Sequence, residues 1–190
     1  MKLPRLLFLL AGLTLALTSA RATTVIPPTF DQLVNQAEMI FEGTVTGLRS
    51  EWVGAGSERR IMTYVSFKVE DSIKGALGAE YTIQMLGGTV DGHTMEVTDA
   101  PRFKVGDRDI LFVEHNGTQF IPLVGIMHGR FHVQSDENGS NEKVAKDNGA
   151  LVADVAKLGQ DEKAATAGKA LSKMEFKAAI RQKMAEKAKK

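Results

Sequence analysis

The sequence predicts a mainly β fold: a small Greek-key barrel of five to six strands, with one helix before it and one after it. Three observations carry this prediction. In the stretch 59–75, Ile61, Thr63, Val65, Phe67 and Val69 alternate with Met62, Tyr64, Ser66, Lys68 and Glu70. That period of two marks a strand with one buried and one wet face. Further short apolar runs, parted by glycine turns, follow at 81–86, 109–114, 119–124 and 127–133, and one precedes it at 39–48. Two helix-start signatures, Thr29 with Gln32 and Ser172 with Glu175, put helices at the two ends.

Taken in order, Pro27 and Pro28 hold the chain extended before a helix over 30–38 that buries Phe30, Leu33, Val34 and Ala37. The first strand, 39–48, carries Gly43 and Gly47, residues that permit coiling or a bulge. A loop at 53–57 leads into the long second strand, and 74–78 turns the chain into a third at 81–86. Gly87-Gly88 ends that strand, and Asp91-Gly92 marks a small hairpin within 90–97. Phe103 packs from a connecting segment punctuated by Pro101 and Val105-Gly106-Asp107. Asn116-Gly117 is a tight-turn signal between the fourth strand and the fifth. It also begins one of two glycan-acceptor patterns, the other at Asn138-Gly139-Ser140, both read here as turns. A sixth strand, or a continuation of the fifth across Gly125, reaches Val133.

The domain reading is therefore a signal peptide at 1–22, a β domain at 23–133, an irregular linker with a short helix at 134–171, and a Lys-rich amphipathic helix at 172–190. The leader reading rests on Lys2 and Arg5, the apolar run 6–17 and Ala20-Arg21-Ala22 at the cleavage site. The protein is accordingly expected to be exported, to the periplasm or the medium, with no transmembrane segment. It has no cysteine, which excludes disulfides, thiolate metal sites and a cysteine nucleophile. Loss of Lys2, Arg5 and Arg21 leaves 21 basic residues against 23 acidic, a net charge of −2.

Short antiparallel strands with glycine turns and flanking helices fit an OB-like barrel, with a sandwich as the alternative. OB-folds often bind single-stranded nucleic acid. Within 23–133, however, nine Lys and Arg face fourteen Asp and Glu, and that negative balance repels phosphate.

Several runs also resemble a known domain. They are Leu33-Val34 with Ala37-Glu38-Met39-Ile40-Phe41-Glu42-Gly43-Thr44-Val45, Phe67-Lys68-Val69-Glu70 with Ile73-Lys74-Gly75, and Leu86-Gly87-Gly88. Ala100-Pro101-Arg102-Phe103 with Val105-Gly106-Asp107, and Gly129-Arg130-Phe131, complete the set. Together they resemble a small secreted bacterial domain found alone or ahead of matrixin-type zinc proteases. It is similar in outline to the netrin-like barrels of tissue metalloprotease inhibitors. The resemblance covers 23–133 and, more weakly, a closing helix at 172–181. It implies a fold more than a function. The chelating N-terminal cysteine of the animal inhibitors is missing, and no His-Glu-x-x-His helix marks a protease.

The remaining polar residues offer candidates for chemistry. His128 and His132, read on one strand face, stand roughly 13 Å apart at about 3.3 Å per residue. That is too far for both to ligate one zinc at about 2 Å. They read as solvent-facing residues flanking Arg130, with Gly129, Phe131 and Val133 turned inward. His93 and His115 fall in loops. Asp107, Asp109 and Glu114 lack the spacing of a calcium loop. Ser50, Ser57, Ser66 and Ser72 sit in no nucleophile elbow, and Gly87-Gly88 is followed by no phosphate-loop lysine.

No catalytic, cofactor-binding or metal residue is assigned on these grounds. The expectation is a non-enzymatic binding module for another secreted or envelope protein, a protease among the candidates, acting through loops and an exposed strand edge. Two alternatives stand beside it. One is an envelope-surface adaptor held weakly on a membrane by 172–190, where seven basic residues face two acidic. The other is a hydrolase using His93 or His115 with a nearby carboxylate.

Overall fold

The structure, a computed structural model, describes residues 26–135, 141–160 and 166–189. The leader reading at 1–22 and the Asn138 pattern lie outside them. The elements run α1 (Phe30–Gln36), β1 (Met39–Val53), β2 (Arg60–Lys74), β3 (Glu80–Leu86), β4 (Gly88–Val90), β5 (His93–Met95), β6 (Arg108–Val113), β7 (Arg130–Ser135), β8 (Glu142–Lys146) and α2 (Lys173–Ala188). Six strands form one antiparallel sheet in the order β3-β2-β1-β6-β7-β8, and β4 pairs with β5 as a separate ribbon.

Both faces of the sheet are covered, so there are two cores. On one face α1 and α2 pack over Ile40, Ile110, Phe112, Phe131 and Val144. Phe176 of α2 is fully buried there, its ring 4.9 Å from that of Phe131. On the other face the sheet curls around Phe41, Phe67, Ile83, Leu111 and Leu123, with Phe103 closing one end. Residues 110–113 are buried without interruption because β6 lies between the two cores.

The helices start where their sequence signatures put them. Thr29 and Gln32 form a complete capping box on α1, as do Ser172 and Glu175 on α2. At the other end of α1, Lys74 Nζ donates to the Val34 and Ala37 carbonyls, groups a helix C-terminus leaves unsatisfied. Burial, with Lys187 nearby, holds that amine below its ordinary value. The helix α2 docks with Phe176 and Ile180 buried and Met184 against the same core.

Four expectations need correction. Among the described residues no strand pairing closes the sheet into a barrel: β3 and β8 are opposite edges of the order. The curl is fastened instead by one side chain and one isolated backbone bond. Asn116 accepts from Gln84 N and donates to the Thr82 carbonyl and Tyr81 hydroxyl, and Leu86 N donates to Phe120 O.

The fifth strand at 119–124 is absent. Pro122 offers no ladder donor, and only Leu123 bridges Val113. His128, placed by sequence on a strand with His132, lies in a 3-10 turn at Ile126–Gly129. Gly125 and Ile126 both adopt positive φ there and reverse the chain before β7 begins.

The segment 134–171, read as irregular with a short helix, carries β8 and the buried residues Val144, Val152 and Leu158. A 3-10 turn at Val155–Lys157 is its counterpart to the expected helix. The outer edge of β8 is covered: Val144 N donates to Leu171 O, and Val152 N and Lys146 N donate to Val144 O and Ala150 O.

Candidate binding edge and cleft

The strand β1 is longer than its apolar run predicts, because Gly47–Val53 continue the ladder with β2. Beyond Thr44, β1 no longer pairs with β6. Val45 makes the last contacts on that side, its N donating to Asp107 O and its O accepting from Gly106 N. A register shift between Val45 and Gly47 follows, after which β1 and β2 pair one to one from Gly47 with Ser66 to Val53 with Arg60. Residues 47–53 thus form a regular ribbon edge with no ladder partner on the outer side among the described residues.

Hydrogen-bond alternation shows which groups face that edge. Gln84 and Leu86 of β3 donate outward, to Asn116 and Phe120, while Gly87 N donates to Ile61 O. Ile61, Thr63 and Val65 therefore turn their backbone groups to β3, and Met62, Tyr64 and Ser66 turn theirs to β1. Gly47, Arg49 and Glu51, opposite these, are bonded inward. Leu48, Ser50 and Trp52 are left with N–H and C=O directed away from β2.

A cleft of about 290 Å³ opens beside this edge. Its walls are Leu48 and Ser50 of β1, Thr63 and Val65 of β2, Met85 of β3, the β4–β5 ribbon and the segment 96–103. Leu48 is 42% exposed although apolar. Gly88 sits at φ +132°, and a Cβ there would overlap the Thr63 and Ser50 hydroxyls. Those two hydroxyls are 2.8 Å apart, and Thr63 Oγ1 donates to Gly87 O at 2.6 Å. The Gly87-Gly88 pair therefore lets the chain lie close over β1 and β2. At the ribbon's tip, Arg59 stacks over Trp52 at 4.3 Å, and His93 meets the same ring edge-on at 5.9 Å.

Asp107, Asp109 and one of the histidines weighed from sequence, His132, gather elsewhere, around a residue the sequence reading turned to solvent. Arg130 is buried, 1% exposed at its side chain. It donates to Asp109 at 3.0 and 3.1 Å, to Asp107 at 2.7 Å and to the Arg102 carbonyl at 2.8 Å. Asp147 lies 3.4 Å away, and the guanidinium stacks 4.0 Å over Phe103.

His132 Nδ1 stands 2.8 Å from the fully buried Asp109 Oδ1. That oxygen has no well-aligned hydrogen bond, and the contact becomes an ion pair when the imidazole is protonated. The Asp109 carboxylate raises the imidazole's proton affinity, against a smaller opposing effect of burial. A cation is already seated among these carboxylates, and no group of three or more His, Asp or Glu among the described residues is placed to hold a metal.

The other sequence candidates make no contact with the Asp107 and Asp109 carboxylates. His128 is half-buried in a cleft behind this cluster, lined by Pro28, Lys146, Arg130 and Asp147, and is held below its ordinary value by burial. His115 adopts positive φ in the turn after β6, with its Nδ1 3.9 Å from Glu114. Ser50, Ser66 and Ser72 bond to Thr63, Thr82 and the Gly75 carbonyl. Ser57 lies exposed in a 3-10 turn.

On the helix-covered face, Glu42 is buried and takes Lys173 and Lys177 at 2.7 and 2.6 Å. Burial alone would raise that carboxyl, but the two lysines more than offset it and hold it below its ordinary value. Asp71 receives Lys177 and Arg181 in the same way. Lys183 reaches Asp31 at 2.8 Å. Four of the basic side chains of α2 thus face carboxylates of this chain.

Two features of this site were missed from sequence: the open edge past Thr44 and the buried Arg130. The alternation of Leu48, Ser50 and Trp52 against Arg49 and Glu51 was the available signal for the first. Compared with protein-family models, curated proteins and solved structures, the chain matches none.

Proposed function

We propose that this chain is an exported, non-enzymatic binding module that receives an extended segment of another secreted or envelope protein on the edge of β1. The single observation behind this reading is the juxtaposition of a regular, unladdered edge at 47–53 with an apolar cleft beside it. Strand addition takes its affinity from main-chain hydrogen bonds and its specificity from pockets for alternate side chains. Leu48, Ser50 and Trp52 supply the first, and the cleft supplies the second. A secreted protease is the first partner to try, given the domain the sequence resembles.

The finer fold reading, an OB-like barrel, belongs to this proposal. It is supported by the β1-β2-β3 meander, the return of β6 onto β1, and the ties from Asn116 and Phe120 to the outer side of β3.

The test uses the folded protein as bait in the native exported fraction, beside Ser50→Pro, which removes an outward donor while leaving the inward ladder intact. Recovery of a stoichiometric partner by wild type and not by Ser50→Pro is expected. Equal recovery by both, or none by a folded wild-type bait, overturns the reading.

A further inference from the structure

We infer that in the free protein the open edge of β1 pairs antiparallel with the same edge of a second copy, centred on Ser50. The inference rests on the edge identified above and names an occupant for it. The edge sequence is complementary to itself. In an antiparallel pair with Ser50 opposite its own copy, Arg49 faces Glu51 of the second chain and Glu51 faces its Arg49. Leu48 faces Trp52 in the same way, on the cleft side. Shifting the register by two residues in either direction breaks both charge matches and sets Arg49 or Glu51 opposite its own copy.

The backbone agrees with this pairing. Leu48, Ser50 and Trp52 direct N–H and C=O outward, so Ser50 with Ser50 and Leu48 with Trp52 become hydrogen-bonded pairs. Arg49 and Glu51 then fall at the non-hydrogen-bonded positions, where facing side chains come closest. In the single chain these two side chains pair with each other along the strand and remain largely exposed. A two-fold axis gives both copies identical surroundings, as the commonest closed dimers require. Sealing the edge in this way also removes a template for uncontrolled strand addition.

The experiment is sedimentation equilibrium on the purified protein from about 1 to 100 µM, a range spanning ordinary weak-to-moderate dimers. Wild type should rise toward the mass of two chains. Arg49→Glu and Glu51→Arg, each alone, set like charges opposite one another twice and should weaken the dimer at least roughly tenfold. The double variant restores opposite charges and should return the dimer. Trp52 is the sole tryptophan, so its emission should shift to the blue with concentration in wild type and in the double variant only.

A wild-type mass of one chain throughout overturns the inference, as does a double variant that stays monomeric with a native circular-dichroism spectrum. Failure here is separable from failure of the binding-module reading. A monomer whose partner capture is still lost in Ser50→Pro removes self-pairing alone. A dimer with the charge pattern above, but with capture indifferent to Ser50→Pro, removes the partner reading alone.

Discussion

The covered half of the sheet and its open ribbon treat polar groups in opposite ways. Around β6 and β7 both faces are packed, and the three buried charges of the described residues, Glu42, Asp109 and Arg130, are each tied to opposite charges. Past Thr44 the same strand β1 loses its neighbour, and the backbone groups of Leu48, Ser50 and Trp52 meet solvent. An unpaired polar group is costly in the first region and cheap in the second. The difference separates what holds the fold from what is available to a partner: saturated charges are structural, and an unused edge beside an apolar cleft is where binding can occur.

The largest expected effect lies in the covered half. Arg130→Met should destabilise the protein by about 3–5 kcal/mol in urea unfolding, because the buried Asp109 loses the guanidinium it shares with Asp107 and Asp147. Adding Asp109→Leu should recover much of that loss, since an apolar pair needs no compensation. If Arg130→Met alone were neutral, the cluster would not be holding the covered half together, and the contrast with the ribbon would weaken.

A smaller effect is expected where the ribbon meets the cleft. Gly88→Ala forces a side chain onto positive φ and against the Thr63 and Ser50 hydroxyls, and should cost about 1–3 kcal/mol. The same substitution at Gly92, also at positive φ but with open space around it, should cost less. Urea midpoints of the two variants compare close packing with backbone strain alone.

The charged groups of the covered half also set a pH window. The folded His132 binds its proton more tightly than the ordinary value of 6.5, so its contribution is complete below that value and fades as pH rises through the folded one. Glu42 and Asp71 are shifted down from 4.5 and 3.8, so theirs is present above those values and fades as pH falls. The contribution of these three groups should therefore be greatest in mildly acidic solution, while His128, held below its ordinary value by burial, opposes it as pH falls through 6.5. In His132→Gln the decline between pH 6 and 8 should flatten by about 1 kcal/mol or less, since the imidazole is partly exposed. Melting curves across pH 4 to 8 check both limbs.

Much of the covered half was legible from local patterns. The two capping boxes, the alternation in β2 and the Phe176–Ile180–Met184 stripe each depend on neighbours three or four residues away, or on a period of two. Arg130 was not legible, because a strand's polar face reads as wet unless one knows a second layer covers it. The uninterrupted run Ile110-Leu111-Phe112-Val113 was the hint that this sheet has two cores. Val144 was hidden likewise, since β8 is short, flanked by lysines, and buried by distant segments: β7, the helix-covered core, 150–152 and Leu171. The candidate edge was half legible: the side-chain alternation of 47–53 is local, but the point where β6 leaves β1 is set by Asp107 and Gly106 docking on Val45.

The smallest effect on stability should come with the largest effect on binding. Leu48→Glu changes an exposed side chain with no core role, so its unfolding free energy in urea should stay within about 0.5 kcal/mol of wild type. The charge nonetheless enters the apolar wall of the cleft and stands opposite Trp52 of a second copy. Both the dimer and partner capture should fall roughly tenfold or more, as expected when a central apolar contact is lost. Leu48→Met, which keeps the apolar bulk, should retain both. A Leu48→Glu protein that dimerises and captures like wild type would place binding away from this cleft, whatever the state of the edge. If instead it lost both activities together with its stability, Leu48 would belong to the packed half of the molecule, and the division drawn between ribbon and core would have to move to Val53.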